Sequence, residues 1–172
     1  MSYDIPLLLK KHKACLDNIS EHFVQFFHGI DYAQELPRKV KKHSIRHPED
    51  LSSVLGGPGF YFIATDVRTI QNPCSLIINE SLHVVYRGHS SDVRERIESH
   101  LFYDLYHAKD SGRRFTICMK LDRKNININK APLNRNQWVV ITHSMPKSTT
   151  LIREAAEVGF DSVFDKPIGC DK

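Results

Sequence analysis

The chain has 172 residues, a formal net charge of +4, and 41% hydrophobic and 26% charged residues, the composition of a folded globular protein with one core. No apolar stretch is long enough to span a membrane, and the apolar run 5–9 is too short before Lys10-Lys11 for a secretory signal. Cys15, Cys74, Cys118 and Cys170 are widely spaced with no C-x-x-C pair, which argues against a structural zinc site and fits reduced thiols in the cytoplasm.

Residues 5–27 show helical spacing, with Leu9, Leu16, Ile19, Phe23 and Phe27 broadly on one side, and are read as one or two helices. A basic run follows at 37–47 and contains Lys39, Lys41, Lys42 and Arg46. It is either a solvated face or a phosphate-contacting arm. Residues 1–55 are thus expected to be an N-terminal helical extension packed on a core domain of 56–172. Gly56-Gly57-Pro58-Gly59 is a turn cluster, because Pro fixes φ and Gly tolerates positive φ. Residues 60–64 are aromatic and apolar, a strand with Tyr61 and Ile63 on one face and Phe60 and Phe62 on the other. An irregular connection turns at Asn72-Pro73, and 75–78 form an extra strand beside the next one. Residues 82–87 are that next strand. Alternation puts Leu82, Val84 and Tyr86 on one face and His83, Val85 and Arg87 on the other, with Gly88 ending it. If the two strands pair, Tyr61 and Tyr86 share a face.

A helix comes next. Asp92 is the best N-cap, with Glu95 three residues on; Ser90 and Ser91 are alternatives. Val93, Ile97 and Leu101 make a buried stripe, and Arg96 and His100, four apart, stack on an adjacent one. Residues 102–107 continue or follow that helix, and 115–121 read as a strand. Residues 123–136, with Arg123, Lys124, Lys130 and Arg135 among asparagines, read as a long loop or irregular hairpin able to contact nucleic acid. Residues 138–144 are a strand, and a helix starting near Thr149 carries Glu154 and Glu157. Two phenols, a guanidinium and an imidazole in one small unit suit cleavage of a phosphodiester. Such a bond resists attack until its charge is offset and water is activated.

The stretch 57–101 resembles the GIY-YIG nuclease family. Gly59-Phe60-Tyr61, preceded by Pro58, stands for the first signature, and Tyr86-Arg87-Gly88 for the second. Arg96 matches the family's helical arginine, and His100 the histidine or tyrosine one turn later. The family's metal-holding glutamate, on a downstream helix, matches Glu154, with Glu157 as runner-up. Three departures stand out: Arg87 replaces an apolar residue, His89 replaces a lysine, serine or threonine, and no asparagine follows the last helix, where Lys166 lies nearby.

The resemblance implies an α+β fold, a small antiparallel sheet of three core strands flanked by helices, with the N-terminal helices as an addition. It implies a divalent-metal-dependent endonuclease with one Mg²⁺ or Mn²⁺ per site, acting on DNA. Tyr61, Tyr86, Arg96, His100 and Glu154 are the catalytic set it implies, with Glu154 on the metal. Arg87, His89, Lys39, Lys41, Lys42 and Arg46 are expected to bind substrate. A toxin-like RNase and an inactive DNA-binding module are the alternatives. One site cuts one strand, so a double-strand break requires a homodimer or sequential nicking.

Overall fold

The computed structural model describes residues 3–69, 71–109, 115 and 117–170. A single helix, α1 (Ile5–Gly29), takes the place of the one or two expected. Asp4 caps it, its carboxylate accepting from the Leu7 N–H at 3.0 Å. Leu7, Leu8 and Leu9 are exposed, whereas Phe27 is buried, so only the second half of α1 meets the core. The basic run then forms a strand, β1 (Val40–Ser44), followed by a 3-10 helix over Pro48–Ser53. Val40 and His43 turn inward, while Lys41 and Lys42 are exposed, a charge pattern that suits a sheet edge.

The remaining strands are β2 (Gly59–Thr65), β3 (Ile77–Ile78), β4 (Leu82–Ser90), β5 (Lys120–Leu121), β6 (Lys124–Asn125) and β7 (Trp138–Ser144). The helices are α2 (Val93–Leu101), α3 (Tyr103–Ala108) and α4 (Thr150–Phe164), with a 3-10 turn at Leu133–Arg135. Asp92 caps α2 as expected, accepting from the Glu95 N–H, and Thr149 caps α4. Of the expected strand 115–121, only Lys120–Leu121 pairs, in a short hairpin with β6; residue 116 lies outside the described residues.

The fold is α+β, with one correction to the expected sheet. Its main sheet has five antiparallel strands in the order β1-β7-β2-β4-β3, not three. The three expected core strands form its centre. The basic run adds one edge, and the short β3 adds the other. The sheet curls enough for Lys42 Nζ on β1 to donate to Asn79 Oδ1 in the β3–β4 turn at 3.1 Å.

Two cores lie on the two faces. On one, α2 and the segment 119–128 cover Tyr61, Ile63, Val85 and Val140. On the other, α1 and α4 cover Phe60, Phe62, Val84 and Ile141. Helices α1 and α4 approach closely because Gly159 has no side chain. A Cβ there would lie 2.6 Å from the Phe23 Cβ and 3.0 Å from the Ser20 carbonyl oxygen.

Candidate active site

Simple alternation in β4 does not survive folding. Ile63 of β2 faces Tyr86, but Ala64 faces Val84, so Val85 is an extra residue in a β-bulge. Leu82 and Val84 therefore pack under α1 and α4, while Val85 and Tyr86 turn to the α2 face. The expected grouping of Leu82, Val84 and Tyr86 on one face is replaced, and the bulge is what brings Tyr86 to Tyr61. Their rings stack with centroids 6.2 Å apart. Gly88 lies opposite Tyr61 in the register, and its bare Cα makes room for the phenol. A Cβ at Gly88 would lie 2.7 Å from Tyr61 Oη and 3.0 Å from Tyr86 Cε1.

His100 comes up from α2 to the same point. Its Nε2 is 2.9 Å from Tyr61 Oη, and its ring is 4.3 Å from that of Tyr86. The Met119 N–H donates to His100 Nδ1 at 2.8 Å. Nδ1 is thus an acceptor, so the neutral ring carries its proton on Nε2 and donates to the Tyr61 oxygen. Burial, and then the Arg96 charge, hold His100 well below the ordinary imidazole value. Burial first, and Tyr86 second, push the Tyr61 phenol well above 10. Both side chains have 0% exposure, so the pair is a neutral donor chain sealed inside the protein.

Tyr86 and Arg96 are the half-buried members and form the accessible rim. Burial pushes the Tyr86 phenol up to about 12, while the Arg96 guanidinium beside it pulls the other way. Arg96 donates to the Ile117 carbonyl oxygen and lies over the Phe115 ring, 4.7 Å from its centroid. Residues 117–119 thus cover the site from one side, holding Arg96 through a carbonyl and His100 through an N–H.

On α4 the expected residues have different tasks. Glu154, Glu157 and Asp161 recur at i, i+3 and i+7 and share one stripe. Arg87 of β4 faces that stripe. It bonds Asp161 through Nε and Nη2, at 2.9 and 2.5 Å, and reaches Glu157 Oε2 at 3.1 Å. Its expected contact with nucleic acid gives way to an ion-pair clamp between β4 and α4, because the strand turns its side chain away from Tyr86. Glu157, not Glu154, is the carboxylate whose charge acts on both Tyr61 and Tyr86. Burial pushes the Glu157 carboxyl up to about 7, with Arg87 opposing, and the His89 N–H donates to it.

Arg153 was not singled out in the sequence. It is 6% exposed, and its Nη1 donates to the Ser148 carbonyl and hydroxyl oxygens. The visible signal was a charged residue in the apolar stripe Arg153, Ala156, Phe160. His89 is half-buried, and burial, followed by the charges of Arg153, Arg87 and Arg96, lowers it to about 4.

The basic residues divide by face. Lys39 and Lys41 line a pocket of about 460 Å³ with Arg38, Ser53 and Thr142. Thr142 pairs with Tyr61 across β2 and β7, which puts this pocket beside the tyrosines. Lys42 pairs with Ile141 and stands on the opposite face, so it does not join that pocket. Arg46 lines a separate groove at the far end of β7.

No known protein-family model matches this chain, and no curated protein or solved structure matches it either. Among the described residues, no helix is long and apolar enough to cross a membrane. Nor, among those residues, do three or more His, Cys, Asp or Glu side chains form a ready cage for a metal ion. A Mg²⁺ site needs fewer, since one or two carboxylates usually suffice when substrate phosphates and water complete the shell. Glu154 and Glu157 are hard oxygen donors one turn apart on α4, and of the two it is Glu157 whose charge reaches the tyrosines; their chemistry fits that requirement.

Proposed function

We propose that this chain is a divalent-metal-dependent endonuclease of the GIY-YIG type that hydrolyses phosphodiester bonds, DNA in the first place, in a reducing cytoplasmic setting. The observation that carries the reading is the meeting of Tyr61, Tyr86, Arg96 and His100 from β2, β4 and α2, with Gly88 leaving space for the phenol.

Arg96 has the charge and the donors to hold a phosphate and to offset charge developing on it. A bound phosphate oxygen takes the place of the Ile117 carbonyl, which already occupies an acceptor position on Arg96. Tyr86, at the accessible rim, orients the attacking water. Tyr61 serves as base only as the phenolate, its own proton having been given up to bulk water beforehand; it then takes one proton from the attacking water, while His100 Nε2–H donates to the phenolate oxygen. Buried Tyr61 is a poor base by itself, so the approach of Arg96 and the His100 donor are what make the step feasible. Glu154 and Glu157 would hold the metal ion, which supplies Lewis-acid stabilisation of the leaving oxygen when bound. Lys39 and Lys41 extend the positive surface along the strand.

One observation favours a second reading. Tyr61 and His100 are sealed, and Glu157 is engaged by Arg87, as in a scaffold that binds DNA without cutting it. Incubating plasmid, single-stranded DNA and RNA with Mg²⁺, Mn²⁺ or EDTA separates these readings. Metal-dependent cleavage of DNA is expected, falling by roughly 10²–10³-fold in Arg96→Ala and in the Glu154→Ala, Glu157→Ala double variant. Full activity in both variants would overturn the assignment. Binding without cleavage would establish the inactive module, and cleavage of RNA alone the RNase.

A further inference from the structure

A polar groove of about 500 Å³ opens beside Trp138, at the end of β7 remote from the tyrosine site. Its floor is apolar, formed by Ile128 and Trp138. Its walls carry Arg46 and Arg135 together with the amides of Asn129, Asn134 and Gln137, and no carboxylate lines it among the described residues. The backbone that presents these groups is tied down. Asp66 Oδ1 accepts from the Gln137 N–H at 2.9 Å and from Asn136 Nδ2 at 3.0 Å. Trp138 Nε1 donates to the Leu133 carbonyl at 3.1 Å. Asp50 Oδ2 accepts from the Arg46 and His47 N–H groups. The residues Arg46, Arg135, Asn129, Asn134 and Gln137 are exposed. The Asp50 carboxyl is lowered first by the Arg46 and His47 N–H groups and also by the nearby charge of Arg46. Fixed walls carrying exposed amides and cations over an apolar floor are the ingredients of a ligand site, because little order is lost when it fills.

We propose that this groove holds one unstacked nucleotide of the bound strand, its phosphate on Arg46 and Arg135 and its base edge on Asn129, Asn134 and Gln137. The proposal rests on the nucleic-acid reading above and adds a position at which sequence is read. Arg46 and Arg135 give the groove a positive character, offset in part at Arg46 by the neighbouring Asp50 carboxylate, and this favours an anion chiefly at Arg135. Side-chain amides pair in a bidentate way with the donor and acceptor of adenine, so adenine is the preferred base. The groove lies at the end of the sheet where Trp138, a member of the same core as Tyr61, begins β7. Trp138 pairs with Thr65, four residues along β2 from Tyr61, about 13 Å at ordinary strand rise. One strand can therefore occupy both places.

The test is fluorescence anisotropy in EDTA with labelled oligo(dA), oligo(dC) and oligo(dT), run beside a cleavage assay in Mg²⁺. The full chain is expected to bind oligo(dA) roughly tenfold tighter than oligo(dC). The Asn129→Ala, Asn134→Ala double variant is expected to lose that preference while keeping its salt dependence. Arg135→Ala is expected to weaken all three oligonucleotides alike and to reduce the salt slope by about one. Arg96→Ala is expected to leave the preference intact. These side chains lie at the surface, so thermal melting should be unchanged. A double variant that binds every oligonucleotide as the parent does would overturn the groove and leave the nuclease reading standing. Binding of oligo(dA) through the groove without cleavage would overturn the nuclease and leave the groove. Failure to bind any oligonucleotide would overturn both.

Discussion

Among the described residues there are two buried tyrosine–histidine pairs, one on each face of the sheet. Tyr61 and His100 meet at 2.9 Å on the α2 face, and Tyr32 and His143 meet at 3.1 Å on the α1–α4 face. Burial raises both phenols and lowers both imidazoles, His143 to about 3. Their neighbours differ. His143 is ringed by Phe26, Phe27, Phe60 and Phe62, and no charged group contributes to its shift. His100 is fixed by a backbone N–H and stands between Tyr86 and the charge of Arg96. A hydrogen-bonded phenol and imidazole are therefore not a site in themselves. On one face they satisfy each other inside an aromatic core, and on the other they adjoin a cation and a half-exposed phenol that can meet a ligand.

The sharpest way to break this comparison is to remove each hydroxyl in turn. Tyr61→Phe is expected to lower metal-dependent cleavage by roughly 10²-fold or more, measured as single-turnover rate. Tyr32→Phe is expected to leave cleavage unchanged and to cost about 1 kcal/mol in denaturant unfolding, the net value of one hydrogen bond. Equal losses of cleavage in both variants would erase the distinction.

Gly88→Ala tests the space beside Tyr61. Its new methyl would lie 2.7 Å from the phenol oxygen, so a loss of about 1–3 kcal/mol is expected together with a fall in cleavage. Gly57→Ala is the control, since its methyl would meet only Leu55 Cδ1 at 3.9 Å. A harmless Gly88→Ala would mean the phenol is not confined as described.

The smallest effects are those of pH, and the two kinds of group run in opposite directions. Glu157 holds its proton in the fold up to about pH 7, while the unfolded chain releases it at ordinary carboxylate values. Its contribution favours the fold at the acid side of that window and is lost as pH rises through about 7. The lowered histidines His43, His89, His100 and His143 stay neutral in the fold and gain protons on unfolding below their ordinary value. Their contribution is present above about 6.5 and is lost as pH falls toward about 4 for His89 and about 3 for His143. In melting curves across pH, Glu157→Gln is expected to remove the loss of stability that runs from ordinary carboxylate values up to about pH 7, and to keep the acid limb set by the histidines. Cleavage by the parent is expected to rise through pH 7 as Glu157 ionises, and a flat profile would detach Glu157 from the metal.

Much of the architecture was written locally. Asp92 before Val93, Ile97 and Leu101 announced a capped, amphipathic α2, so the placement of Arg96 over His100 was legible from 3.6-residue periodicity. Aromatic and β-branched residues likewise announced β2 and β7. Three things were not local. The lysine-rich run became edge strand β1 only because β7 offered unpaired backbone groups, a partner about a hundred residues away. The bulge at Val85 follows from pairing with β2 and reverses the face on which Tyr86 lies, whereas alternation along β4 assumes an unbroken register. The choice between Glu157 and Glu154, and the use of Arg87 as a clamp, depend on how α4 is turned against β4. The sequence by itself therefore determined which chemical groups exist and which secondary elements carry them, because capping, periodicity and turn chemistry act over a few residues. Tertiary structure alone decided which groups meet, because register, curl and helix rotation are fixed by burying both faces of the sheet at once.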